Sequence, residues 1–330
     1  MKFRNSLSTR RTLLVSAIFA AMAAGCGGGG GRDPILGSGG SGAGGAGGVG
    51  GGGLGGIVAV APTSTIPQSQ VSILGTAARY GIFGGSAGMT NTGISTVITG
   101  SAGNTADIGT IATATSSVTG FHDSAPSDVY TETGANVGNV TGKIYTCTTS
   151  TTGPTSPVPP GGGVNAASCT AATTALADAR VAYNKLVAEP AGPNPGAGNL
   201  ANLTLAPGVY TAAAGSFKIE GGDLTLDAQG NANAVWVFQM ATTLTVGGPG
   251  AAAPQSIILA GGAQAKNVYW QVGSAATINA AGGGTMVGTI ISQAGVVFST
   301  AGRTTVLALN GRALSLGASV TMVNTAITVP

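Results

Sequence analysis

The chain has 330 residues, 7% of them charged, with 59 glycines and a formal net charge of +3. That length suits one large or two modest domains. So few charges exclude a disordered chain, which couples low hydrophobicity to high net charge, and a helical bundle, whose exposed faces need abundant Glu, Lys and Arg. A surface this poor in charge has to be covered by Thr, Ser, Asn, Ala and backbone, which regular stacked strands allow.

At the N-terminus, Lys2, Arg4, Arg10 and Arg11 precede the apolar run Leu13-Leu14-Val15-Ser16-Ala17-Ile18-Phe19-Ala20, the charged-then-apolar order of a secretory signal. Without those four, nine Lys and Arg face ten Asp and Glu, so no positive excess remains to attract nucleic acid. The apolar run is shorter than the roughly 20 residues of a membrane span. It leads into Ala23-Ala24-Gly25-Cys26, which resembles the lipobox of bacterial lipoproteins, with Ala23 where Leu is usual. The resemblance implies a signal peptide over residues 1–25 and a lipidated Cys26 as membrane anchor. Gly27, rather than Asp, after the cysteine is similar to lipoproteins sorted to the outer membrane. Thr9-Arg10-Arg11-Thr12-Leu13-Leu14 is similar to a twin-arginine export signal lacking its Phe, which leaves the export route open. Residues 26–56 read as a Gly-rich tether, a composition that cannot bury a core and predicts a flexible coil.

From about Val71 the pattern becomes one of short strands, and residues 57–330 read as one domain. Thr96-Val97-Ile98-Thr99, Leu224-Thr225-Leu226, Thr243-Leu244-Thr245-Val246, Thr277-Ile278-Asn279 and Ala326-Ile327-Thr328-Val329 alternate apolar residues with Thr or Asn. This is the period of strands with one buried face. Gly, Ala, Ser and Asn clusters between them supply turns. Val235-Trp236-Val237-Phe238-Gln239-Met240 parallels Asn267-Val268-Tyr269-Trp270-Gln271-Val272, and Gly288-Thr289-Ile290-Ile291-Ser292 parallels Gly311-Arg312-Ala313-Leu314-Ser315. Imperfect self-similarity at a spacing of roughly 18 to 32 residues predicts a solenoid with several strands per coil; a β-sandwich is the alternative. Trp236 and Trp270, placed at equivalent points of the coil, are assigned to the core rather than to a sugar platform.

Two segments depart from this pattern. Residues from about 110 to 165 interrupt it with Pro154, Pro157, Pro159 and Pro160. From Ser168 to Ala188 an Ala-rich run sets Leu176, Ala179, Tyr183 and Leu186 on one helical stripe and is closed by Pro190, Pro193 and Pro195. That helix is expected on the flank of the solenoid. With Cys26 used for lipid, Cys147 and Cys169 remain as a pair in an exported domain, where a disulfide is expected.

An ordered series of stretches carries a family resemblance. It runs through Leu74-Gly75-Thr76-Ala77, Tyr80-Gly81-Ile82-Phe83, Thr90-Asn91-Thr92-Gly93, Leu205-Ala206-Pro207-Gly208-Val209-Tyr210 and Gly222-Asp223-Leu224-Thr225-Leu226-Asp227. It continues through Ala234-Val235-Trp236-Val237-Phe238-Gln239, Gly261-Gly262-Ala263-Gln264-Ala265-Lys266-Asn267-Val268 and Asn310-Gly311-Arg312-Ala313. From about residue 71 to 330 the chain resembles the irregular β-helical ice-binding (antifreeze) proteins of cold-living bacteria, fungi and algae. The resemblance implies an all-β solenoid: an irregular right-handed β-helix of triangular section, with one α-helix along a side and N-terminal strands joined beside later coils. It also implies that residues 110–165 are a capping insertion, which would protect an open solenoid end. No cofactor and no metal are implied, and the chain is expected to be a monomer.

Ice offers neither charge nor concavity, so its recognition calls for a flat, rigid array of small hydroxyl and methyl groups. If Leu244 and Ile278 point inward, then Thr243, Thr245, Thr277 and Asn279 point outward, and by continuation Ser299 and Thr321 share that face. These six are the expected ice-binding residues. The same threonines would also suit any solvated strand face, and a surface adhesin or polysaccharide-contacting module is the alternative function. Catalysis finds little footing. His122 is the single histidine, beside Asp123, and Glu220, Asp223 and Asp227 read as residues solvating turns. No small-molecule substrate is expected.

Overall fold

The computed structural model describes residues 61–65, 73–102, 106–123, 129–148, 163–248, 254–299 and 302–330. The signal segment, Cys26 and the Gly-rich tether lie outside them. Residues 56–330 cluster as one unit, and every strand pairing among the described residues is parallel, which builds a right-handed β-helix with three faces.

The first face stacks Gly208–Thr211, Trp236–Met240, Val268–Val272, the C-terminal halves of Thr285–Ser292 and Leu307–Ser315, then Tyr80–Gly84, Asp107–Gly109 and Ile144–Tyr145. The second stacks Phe217–Ile219, Leu244–Val246, Ala276–Ile278, Val296–Phe298, Val320–Met322, Met89–Asn91 and Val118–Thr119. The third begins with Thr204–Leu205, Leu224–Asp227 and Ile257–Ala260. It goes on through the N-terminal halves of the two long strands to Thr325–Val329, Val97–Gly100, Gly138–Val140 and Phe121–Asp123. N-terminal strands thus stand beside the C-terminal coil, and Thr96 and Thr325, 229 residues apart, share a hydrogen bond.

Residues 110–145 do not simply interrupt the strands, as their sequence suggests. Val118–Thr119, Phe121–Asp123, Gly138–Val140 and Ile144–Tyr145 add a last coil with strands on all three faces. These strands are two or three residues long, too short for alternation to show in the sequence.

Inward side chains form the core. Phe238 and Trp270 stack with ring centroids 4.0 Å apart and planes 8° from parallel. Trp236 and Trp270 are both fully buried, but they are not equivalent: the register sets Trp270 beside Phe238 and Trp236 beside Val268. The Trp270 indole N–H donates to Val287 O and that of Trp236 to Leu205 O, which satisfies the polar end of each ring.

One helix, Ala166–Val187, begins two residues before the expected Ser168 because Asn165 caps it, its side chain accepting from the Ser168 N–H. Its 22 residues, at about 1.5 Å each, reach along roughly seven strands spaced about 4.8 Å. Ala172, Ala175, Ala179 and Ala182 let it approach Val209, Val237, Tyr269, Ile291 and Leu314 on the first face. Leu176, Tyr183 and Leu186 of the expected stripe are buried there too. At the far end the Gln239 amide donates to Leu186 O and Glu189 O, carbonyls that a helix terminus leaves unpaired.

Cys147 and Cys169 form the expected disulfide, tying the last coil to the first turn of the helix. The chain-entropy model assigns such a loop about 3 kcal/mol. Reduction, or Cys147→Ser with Cys169→Ser, should lower the unfolding free energy by about that amount, read from urea denaturation with and without reductant. Unchanged midpoints would show that the helix N-terminus is held by other contacts.

Candidate functional site: the open face

The helix covers the first face; the second is open. Its three-residue strands bury their first and third side chains and turn the middle one outward, as in Leu244-Thr245-Val246 and Ala276-Thr277-Ile278. Ladder register places the middle residues in one unbroken column: Lys218, Thr245, Thr277, Val297, Thr321, Thr90 and Thr119. Neighbours in this column stand about 4.8 Å apart. Burial on either side of each middle residue fixes the backbone, and β-branching restricts χ1 of each threonine, so hydroxyl and methyl positions repeat with little freedom. Five of the seven residues are threonine.

A second column lies two residues earlier on each strand, about 6.6 Å away. It contains Ser216, Thr243, Ala275, Gly295 and Ser319, tied together by backbone hydrogen bonds such as Leu244 N–H to Ala275 O and Val296 N–H to Ser319 O. All are small, which keeps the face level.

Of the six residues expected on this face, Thr243, Thr245, Thr277 and Thr321 are brought together on it. Asn279 and Ser299 are not. Both follow the last strand residue in left-handed backbone, φ 44° and 60°, which breaks the alternation and turns their side chains inward. Asn279 is fully buried, its Oδ1 accepting from Gln255 N–H and its amide donating to Gln255 O and Gly283 O. Asn91, also buried, does similar work nearby, donating to Gly93 O and Gly120 O. These asparagines bind the bend leaving the open face; ice could not reach them.

Thr90 and Thr119 are the residues that the sequence reading missed. Thr90 stands in the quoted Thr90-Asn91-Thr92-Gly93 stretch, but its place beside Thr321 depends on a pairing between the two ends of the domain.

The histidine and the acidic residues singled out in the sequence have structural partners. His122 Nδ1 pairs with the Glu132 carboxylate. Asp123 accepts from Ile144 N–H and from the Tyr130 hydroxyl, and burial pushes its carboxyl above the usual range, against those hydrogen bonds. Glu220 pairs with Lys218 at 2.8 Å. Asp223 accepts from Ser256 N–H of the adjacent coil, and Asp227 from Gln229 N–H within its own turn. No metal-binding cluster of His, Cys, Asp or Glu occurs among the described residues.

A family model described as Ice-binding-like matches residues 83–328, a span that includes the whole column. The chain belongs to the ice-binding-like family. Among its relatives in that family, an ice-binding protein of Nostoc sp. (strain HG1) is 34% identical over 254 residues, 77% of this chain and 72% of the relative. Ice-binding protein 1 of Shewanella frigidimarina is 39% identical over 128 residues, 37% of this chain but 12% of that much longer protein. The crystal structure of an ice-binding protein from an Antarctic biological consortium superposes with TM-score 0.58 at 28% identity, over 82% of this chain and 96% of the other. The ice-binding-like fold thus covers the domain from its N-terminal strands to its last.

Proposed function

We propose that this chain binds ice through its open face. Family membership supports ice as the ligand; the in-register column of Thr245, Thr277, Thr321, Thr90 and Thr119 supports this face as the site. A threonine offers ice a methyl that orders water and a hydroxyl that hydrogen-bonds it. Because the side chains are already fixed, ordered waters can bridge them to the lattice at small further entropic cost. Recognition is by a surface rather than a pocket, and the reading assigns the protein no chemical step. Val297 interrupts the hydroxyls, and a single coil, at Thr243 and Thr245, sets threonine in both columns, so moderate rather than extreme arrest of ice growth is expected. Thermal hysteresis and ice-recrystallisation assays on residues 57–330 test this. Ice growth indistinguishable from that with an unrelated protein would refute it.

The proposal extends to location: an exported monomer lipidated at Cys26, tethered by residues 27–56 to the outer membrane, so that the open face meets ice near the cell. It is motivated by the Ala23-Ala24-Gly25-Cys26 sequence, and acylation by more than one chain gives stable anchoring. Mass spectrometry of protein from its native host should find acylated Cys26 as the N-terminal residue. A mature form starting elsewhere, without lipid, rejects the anchor and leaves the ice-binding proposal standing.

A further inference from the structure

The first described residues, Ala61-Pro62-Thr63-Ser64-Thr65, touch chain that lies more than a hundred positions away. They lie against Gly208–Thr211, the outermost strand of the first face, whose one strand partner is Trp236–Met240. Gly208 N–H bonds back into the sheet, to Val235 O; Val209 and Thr211 N–H point out of it. Val209 N–H donates to Pro62 O at 2.9 Å, and Thr211 N–H to Pro193 O at 3.1 Å. A proline has no N–H of its own, so neither acceptor can hand the ladder on to further chain. Ala61 packs on the end of the main core, so close that a Cβ on Gly208 would stand 2.6 Å from the Ala61 Cβ.

Glu189 holds this segment in place. It stands one residue past the helix C-cap, Ala188, and is 7% exposed. A buried carboxylate is costly unless hydrogen-bonded, and the negative end of the helix dipole disfavours it further. Both its oxygens serve Thr65: the backbone N–H donates to one at 2.7 Å and the hydroxyl to the other. The helix alone gives no reason for an acid at this position; the strap does.

The strand beneath needs cover. Gly208-Val209-Tyr210-Thr211 carries no charge and buries three of its four residues. An uncharged, apolar edge with free N–H groups is a template for another chain. Chain that follows the helix already covers the rest of this end, with Leu200 N–H donating to Lys218 O and Asn202 N–H to Asp223 O.

We propose that residues 61–65, clamped by Glu189, guard this edge, and that the partner they exclude is a second copy of this chain. Two identical edges related by a twofold axis pair and close, so the unguarded product is a dimer rather than a fibre. The guard stands at the end of the stack, away from the open face, and is independent of the ice-binding proposal.

The test compares the chain from residue 26, carrying Cys26→Ser so that no free thiol links copies, with the same chain lacking residues 57–65. The apolar Ile57-Val58-Ala59-Val60 is removed too, so that it cannot slide into the vacated place. Light scattering should find the first protein monomeric. The second should rise to about twice that mass as concentration increases, with cooperative unfolding retained. In the undeleted chain, Glu189→Gln, nearly isosteric, should speed amide exchange at Val209 several-fold, while Thr211, received by Pro193, stays slow. A deletion variant that is monomeric at every concentration would overturn the proposal. Large aggregates without a cooperative transition would do the same, by making the segment part of the fold rather than its guard. Unchanged exchange at Val209 in Glu189→Gln would show that the clamp holds nothing, and would equally overturn it.

Discussion

Thr277→Tyr should abolish most of the protein's ice affinity while leaving its melting temperature close to that of the wild type. Thr277 is near the middle of the outward column, between Thr245 and Val297. A ring standing out from that position would hold the lattice off the neighbouring side chains, and a flat ligand cannot bend to restore the contact. A loss of even about 1.4 kcal/mol is tenfold in affinity, and the substitution removes contact on both sides at once. Tyr suits a strand, and this outward-facing, half-buried position should tolerate it within about 1 kcal/mol. Thr225→Tyr is the control, since Thr225 pairs with Thr204 and Ile258 on the third face. Equal damage from both variants, measured as thermal hysteresis at matched concentration, would mean that the open face is not the binding face. If the wild type left ice growth unchanged, the polymer-contacting alternative would take precedence.

Gly311→Ala should be strongly destabilising. Gly288 and Gly311 are ladder partners where the two long strands pass from the third face to the first. A Cβ on Gly311 would stand 1.9 Å from Gly288 O, and one on Gly288, whose φ is +100°, would meet Val268 O at 2.6 Å. These contacts are with backbone of adjacent coils, so no side-chain rotation relieves them, and a loss on the order of 3 kcal/mol or more is expected. Gly221→Ala separates crowding from conformation. Gly221 has φ +88° with nothing within 4 Å of its added Cβ, so the left-handed backbone alone should cost about 1–2 kcal/mol. Denaturant midpoints give both values. Equal losses would show that the corner yields to the extra methyl.

Much of the architecture is written locally in the chain. Alternation in Leu244-Thr245-Val246 and Ala276-Thr277-Ile278 marks which side chains face the core, because a strand's period is set by its own backbone. The helix shows through the spacing of Leu176, Ala179, Tyr183 and Leu186, and its end through the prolines that follow. Even the coil-to-coil register of Gly288-Thr289-Ile290-Ile291-Ser292 on Gly311-Arg312-Ala313-Leu314-Ser315 is legible as sequence similarity.

What tertiary structure alone decided is which strands without sequence likeness become neighbours, and how a strand ends. Thr90 joins the column because Met89–Asn91 inserts between Val320–Met322 and Val118–Thr119. Nothing within either segment states that pairing, since parallel strands are joined by hydrogen bonds to distant chain rather than by a turn. Asn279 and Ser299 left the face because one residue of left-handed backbone after the strand reverses the direction that alternation assigns. The meeting of Thr65 with Glu189 likewise requires the helix and the first coil to be in place before it exists. A strand's own residues determine which way its side chains point; only the closed coil determines what stands beside them.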